Sequence, residues 1–247
     1  MIAHTSAIIL KSVDYSESSK IVTLFSREHG KIAAIVKGAK KPKSKFAGLL
    51  EVGNLLDVVY YYKGNRSVQT LTEATYLHKT LNLRLEFEKM ATAMSALELI
   101  TQLLHDNEVN HPLFDFTKEF LIWLNDTDIE PARVFPYLQI RLADLMGFGL
   151  QLEPAEDHKN PGKQYINLDS GLVSAQSVSS HSYKLSKNQY HYIVLTLQSR
   201  NSAVFSITFE NGELKDLVNQ LDRYLKFHVE GLRSRKSDAI FEQILQA

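Results

Sequence analysis

The chain has 247 residues, 44% of them hydrophobic and 23% charged, with 28 Lys and Arg balancing 28 Asp and Glu and no cysteine at all. Such a composition excludes a disordered or low-complexity polymer and allows one large domain or two to three small ones. The missing cysteines exclude disulfides, thiolate catalysis, and iron–sulfur or Cys-ligated zinc sites.

The neutral total conceals segregation: residues 1–80 hold 12 Lys and Arg against 6 Asp and Glu, and the remainder holds 16 against 22. Screening limits the acidic part's influence to a Debye length of ~8–10 Å, so the basic part can still bind a polyanion locally. Segments 6–13, 21–25, 31–36, 55–62 and 68–74 are rich in Val, Ile, Leu, Thr and Tyr and read as five strands. Glu28-His29-Gly30 and Lys63-Gly64-Asn65 each offer a glycine to a tight connection. Five strands in so short a stretch suggest a small barrel, and the OB-fold is the commonest of that size. From Leu83 to Leu104 apolar residues recur at helical spacing, predicting one long amphipathic helix, with others expected over 112–124, 131–149 and 213–231. Ser186-Lys187-Asn188-Gln189 has capping-box spacing ahead of the apolar run 190–197. Between them, 151–182 contains Pro, Gly and Ser breaks and one strand-like piece, 164–168, and reads as an insertion.

The segment most informative about function is 31–45, where Lys31, Lys37, Lys40, Lys41, Lys43 and Lys45 occur with no intervening Asp or Glu. Gly38-Ala39 and Pro42 interrupt the strand after Val36, placing most of these lysines on a loop. Such a loop suits a phosphate backbone, because each neutralised phosphate releases counterions. Arg66 is a further candidate contact. Tyr15, Phe46, Tyr60, Tyr61 and Tyr62 are candidates for stacking on bases, although alternation puts Tyr60 and Tyr62 on one face and Tyr61 on the other, so one set belongs to the core. His105, His111, His158, His181, His191 and His228 are scattered, and no HExxH, GxSxG, GxxxxGK[ST] or GxGxxG pattern occurs. The reading is therefore of a binding protein and not an enzyme. No apolar run approaches the ~20 residues of a membrane span, and the first residues lack a secretory pattern. The expected location is the cytoplasm.

Three motifs in order resemble the bacterial recombination mediator family RecO. They are Ala7-Ile8-Ile9-Leu10 with Asp14-Tyr15-Ser16-Glu17-Ser18-Ser19-Lys20, then Gly30-Lys31 through Val36-Lys37-Gly38-Ala39-Lys40-Lys41-Pro42-Lys43-Ser44-Lys45, and finally Arg223-Tyr224-Leu225-Lys226-Phe227-His228 with Leu232-Arg233-Ser234-Arg235. The resemblance implies an α+β chain: an OB-fold domain at 1–80, a helical domain at 81–150 and 183–247, and a zinc-ribbon-like insertion at 151–182. It also implies binding to single- and double-stranded DNA without sequence preference and annealing of complementary strands. Implied partners are RecR, the C-terminal tail of single-strand binding protein, RecF and RecA at DNA gaps, with a nucleoid association. The residues alone would equally allow an RNA-binding OB protein of translation or ribosome assembly. The family commonly carries two CxxC pairs after the motif seen here as Leu145-Met146-Gly147-Phe148. By spacing, those pairs fall on Ala155 and His158, and on Ser174 and Ser177. A donor set without thiolates is poor for zinc, so no metal is expected and the insertion is a degenerate ribbon.

Overall fold

A computed structural model describes residues 1–153, 162–199, 202–210 and 212–245. It divides into two compact units, Met1–Thr127 and Asp128–Ala247.

In the first unit, strands β1 (Ile2–Asp14), β2 (Lys20–Ser26), β3 (Gly30–Val36), β4 (Leu55–Tyr61) and β5 (Val68–His78) close a barrel in the order β1-β2-β3-β5-β4. Long β1 allows closure, pairing β4 through Ile2–Ile8 and β2 through Ala7–Asp14, with a register shift between Ile9 and Lys11 that bends it. The seam is a short parallel pairing of β3 with β5, Ala33 opposite Val68 and Ile35 opposite Thr70. This is the five-stranded OB arrangement expected from the strand pattern. Inward residues alternate, most clearly along β3, where Ile32, Ala34 and Val36 are buried and Lys31, Ala33 and Ile35 are half-buried. The core combines bulky Ile9, Leu24, Leu56 and Tyr60 with small Ala3, Ala7 and Ala34, a mixture that fills a narrow barrel.

The turns differ in mechanism. Gly30 has φ +64°, as a tight hairpin requires, and a Cβ there would collide with the backbone of Glu108. Gly64 is not among the positive-φ glycines. Its connection is held instead by the Gln69 side chain, which accepts from Lys63 N at 2.9 Å and donates to the carbonyls of Lys63 at 3.1 Å and Arg66 at 2.8 Å.

The expected single helix after Asn82 is two, α1 (Asn82–Leu85) and α2 (Phe87–Leu103), because Glu86 is extended at φ −108°, ψ 115°. The break is stabilised from α3 (His111–Asp126): Asn125 Oδ1 accepts from Asn82 N and Leu83 N, and the buried Lys89 ammonium donates to Asn125 O and Glu86 Oε1. Helix α3 opens on Asn110, whose side chain accepts from Leu113 N, with Pro112 in its first turn. It packs on the barrel through the edge-to-face pair Phe25–Phe114 and the bidentate Arg27–Asp115 ion pair at 3.0 Å.

In the second unit, α4 (Pro131–Leu145), α5 (Lys187–Gln198) and α6 (Glu213–His228) pack together. Helix α5 opens on the capping box formed by Ser186 and Gln189. Where one strand was expected, a four-stranded sheet forms in the order β6 (Gln151–Leu152), β8 (Leu172–Ser174), β7 (Gln164–Asn167) and β9 (Ser182–Leu185). A 3-10 turn (Ser202–Ser206) and α7 (Asp238–Ile244) complete the unit. Arg235, before α7, is buried, donating twice to Asp222 on α6 at 2.7 Å and once to Asp238 at 2.6 Å, with its guanidinium over Phe135 of α4. No helix among the described residues is long and apolar enough to cross a membrane.

Candidate nucleic-acid interface

The chain leaves β3 at Val36 and does not regain strand structure until Leu55. Between them it makes successive turns: Lys41 N donates to Gly38 O, Ser44 N to Lys41 O, Ala47 N to Ser44 O and Leu49 N to Phe46 O, all at 3.0–3.2 Å. Gly38 has φ +72°, the left-handed geometry that turns the chain off the strand. What keeps this segment in place is apolar. Phe46, Leu49 and Leu50 are buried in the barrel core, each stabilising the fold by ~1.5–3 kcal/mol on burial. Asn54 adds a polar clamp, donating to Gly48 O and Leu49 O while accepting from Arg84 Nη2 at 2.6 Å. With one side plugged into the barrel, the other side presents lysines to solvent.

The candidate lysines fall into distinct environments. Lys37, Lys41 and Lys43 are exposed, and their ammonium groups lack a hydrogen-bond or ion-pair partner among the described residues. Lys45 is exposed, its Nζ 5.4 Å from the centroid of Phe46. Lys40 ties the loop to the β1–β2 connection. Its Nζ lies 2.9 Å from Asp14 Oδ2 and donates to Ser16 O at 3.2 Å, and its backbone N donates to Ser18 O at 3.1 Å. The Lys40 hydrogen bond, helped by Lys20, holds the Asp14 carboxyl below its ordinary range.

Lys31 is different again. Its side chain is 19% exposed and its ammonium donates to the carbonyls of Leu104 at 2.6 Å and Thr101 at 3.3 Å, with Asp106 at 3.2 Å. A cation on the orphan carbonyls at a helix C-terminus is a favourable cap for α2. The structure thus commits Lys31 to joining the barrel to α2, away from the lysine loop. Arg66 is exposed but sits in the β4–β5 connection, which enters the sheet at Val68 opposite Ala33. Lys37 lies four residues beyond Ala33, ~13 Å at the rise of a strand. The structure does not bring Arg66 into the lysine cluster.

Of the aromatic candidates, Tyr60 is fully buried and Phe46 nearly so. The Tyr60 hydroxyl meets Ser26 Oγ at 3.2 Å and His29 Nδ1 at 2.6 Å, and Tyr62 packs on the His29 ring at 4.0 Å between centroids. Burial lowers the His29 pKa, against the pull of Glu28, and raises that of Tyr60. Tyr15 at 63% and Tyr61 at 52% exposure are the ones left open to solvent. Sequence reasoning missed the organising roles of Asp14, which pairs with Lys40 far along the chain, and of Asn54, whose clamp on Gly48 O and Leu49 O within its own loop follows no standard motif.

In the insertion, Ala155 and His158 lie outside the described residues. Ser177 is exposed. Ser174 is buried with its hydroxyl occupied, accepting from Asn167 Nδ2 at 3.0 Å and donating to Gln176 O at 3.1 Å. Neutral hydroxyls used in this way do not fit a zinc ion, which needs strong nitrogen or sulfur donors. The fully buried Asn167 occupies the centre instead, donating also to Leu172 O and accepting from Ser182 Oγ at 2.5 Å. Among the described residues no group of three or more His, Cys, Asp or Glu is placed to hold a metal.

Comparison with known proteins covers the chain nearly end to end. Residues 1–79 match the family model described as recombination protein O N terminal, and residues 84–238 the one described as recombination protein O C terminal. Relatives named DNA repair protein RecO include those of Chloroherpeton thalassium, 28% identical over 99% of this chain and 100% of the relative, and Pelodictyon phaeoclathratiforme, 29% identical over 99% of each. A third, from Prosthecochloris aestuarii, is 30% identical over 99% of this chain and 98% of its own. With an OB barrel under the first match and helices under the second, this chain belongs to the recombination protein O family.

Proposed function

We propose that this chain is a DNA repair protein that binds single- and double-stranded DNA without sequence preference. It anneals complementary strands and, with RecR, helps load RecA onto gaps. The observation that carries this reading is the lysine loop: Lys37, Lys41, Lys43 and Lys45 exposed on turns that are themselves fixed to a small barrel. Mobile ammonium groups on a fixed base meet phosphates wherever they fall, which gives affinity without sequence selection. Holding two strands near each other raises their effective concentration, and base pairing supplies the specificity. No bond is made or broken, so the activity requires no catalytic constellation. Lys40 supports the loop, Arg66 is a separate minor contact, and Lys31 serves the fold.

The helical regions are assigned to protein partners: RecR, RecF, RecA and the tail of single-strand binding protein. Supporting this, α1 and α2 leave Leu85, Phe87, Met90 and Met94 exposed, and flexible methionines suit adaptable docking. The three sequence-defined modules, 1–80, the helical segments and 151–182, are proposed as the division of labour.

The deciding experiment is annealing of complementary oligonucleotides, bare and coated with single-strand binding protein, across a salt series. Annealing that weakens as salt rises and persists on coated strands is expected. A protein that leaves annealing at its spontaneous rate, or that prefers RNA over DNA of the same sequence, would refute the reading.

A further inference from the structure

We infer that Tyr15 is a base-stacking platform that gives the lysine loop its preference for unpaired strands, and that Lys40 is the positioning residue that holds it there. The inference rests on the DNA-binding reading above and adds a division of roles within it. Tyr15 follows the last residue of β1, and its ring has no hydrogen-bonding, aromatic or cationic partner among the described residues. Its backbone is fixed nonetheless. Tyr15 N donates to Ser19 O at 3.1 Å, and Lys40 grips both sequence neighbours, Asp14 through its carboxylate and Ser16 through its carbonyl. Each gripped residue is the immediate chain neighbour of Tyr15, its Cα about 3.8 Å away. Lys41 follows Lys40 directly, so the contact that fixes the neighbours of the open Tyr15 ring is made by the residue next to an exposed loop cation.

A ring on an already ordered backbone stacks on a base with little further entropy cost, and every base has a π-face to offer. Bases in a duplex are already stacked on one another, so only an unpaired base gains. The other aromatic candidates do not serve: Phe46 and Tyr60 are buried, Tyr62 is packed on His29, and Tyr61 lies on β4 opposite Ile2 and Thr70, away from the loop.

The test uses the full chain in fluorescence anisotropy with oligo-dT, a duplex of equal length, and an abasic oligomer. Tyr15→Ala is expected to weaken oligo-dT binding about tenfold while leaving duplex and abasic binding and the salt slope unchanged. Tyr15→Phe should bind as the wild type does. Lys40→Ala should reduce the single-strand preference, Lys40→Arg should restore it, and Lys40→Ala should have no further effect on that preference in the Tyr15→Ala background. Wild-type protein that binds DNA while Tyr15→Ala binds oligo-dT equally well, or loses duplex and single strand alike, overturns the stacking role. Wild-type protein that binds none of the three probes overturns the DNA-binding reading itself.

Discussion

Replacing Lys37, Lys41 and Lys43 together by Ala removes three exposed ammonium groups that no folded-state contact uses. Fold and stability should therefore survive, and the effect should fall on electrostatic binding alone. Each phosphate released from contact lowers the slope of log affinity against log salt by about 0.7 on a single strand and about 0.9 on a duplex. Three contacts correspond to a slope smaller by about 2 on oligo-dT and about 2.7 on duplex. Between 50 and 200 mM salt, the wild type's advantage on oligo-dT should then shrink by roughly 20-fold. Anisotropy titrations at four or five salt concentrations measure this directly. Lys31→Ala is the informative control. Its ammonium caps α2, so it should lower stability by about 1–2 kcal/mol and leave the slope unchanged. If the triple variant keeps the wild-type slope, or if Lys31→Ala flattens it as strongly as a loop lysine does, the assignment of free and committed lysines is wrong.

Loss of Arg235 to Ala leaves Asp222 and Asp238 without their buried cation, a change that should cost about 3–5 kcal/mol. An unchanged thermal midpoint would show that the Arg235 ion pairs do not hold the second unit together. Asn167→Ala deprives Leu172 O, Ser174 Oγ and Ser182 Oγ of their shared partner, at about 1 kcal/mol or more each. Amide exchange should quicken across 164–185, with or without added zinc; protection restored by zinc would mean that metal organises the insertion after all. Burial depresses the His29 pKa, so as pH falls below about 6.5 the unfolded chain takes up the proton first. Stability should decline through that window and level off once the folded imidazole is also protonated, and His29→Gln should remove part of the slope in thermal midpoints measured between about pH 8 and 5.

The barrel was legible because its strands alternate and its β2–β3 hairpin needs the positive φ that Gly30 supplies. Length was less so: β1 starts at Ile2 because pairing with β4, a long-range event, extends it. The helix break at Glu86 left no trace in periodicity, since it is imposed by Asn125, some forty residues further along. Composition changes after residue 80, yet compactness continues to Thr127, because Arg27–Asp115 and Phe25–Phe114 bind α3 to the strands. For the site, the sequence revealed where positive charge gathers but not which charges are spent. Lys31 and Lys41 look alike in a list of lysines; only the carbonyls of Thr101 and Leu104 distinguish them.

That distinction bears on how a nearly neutral chain could handle a polyanion. A lysine engaged by carboxylates or carbonyls contributes little to counterion release, since folding has already partly neutralised it. Net charge, even of the basic part, thus overstates the binding charge. What matters is the subset held outward without partners on a base that folding has made rigid, here Lys37, Lys41 and Lys43 above the buried Phe46, Leu49 and Leu50. Under the proposed function, few contacts imply modest affinity and fast release, as annealing would need if the protein is to let go of the duplex it creates. A tighter loop, gained by adding a lysine at exposed Ala47, should therefore raise binding while slowing turnover in the proposed annealing, because each added phosphate contact stabilises the product as much as the substrate.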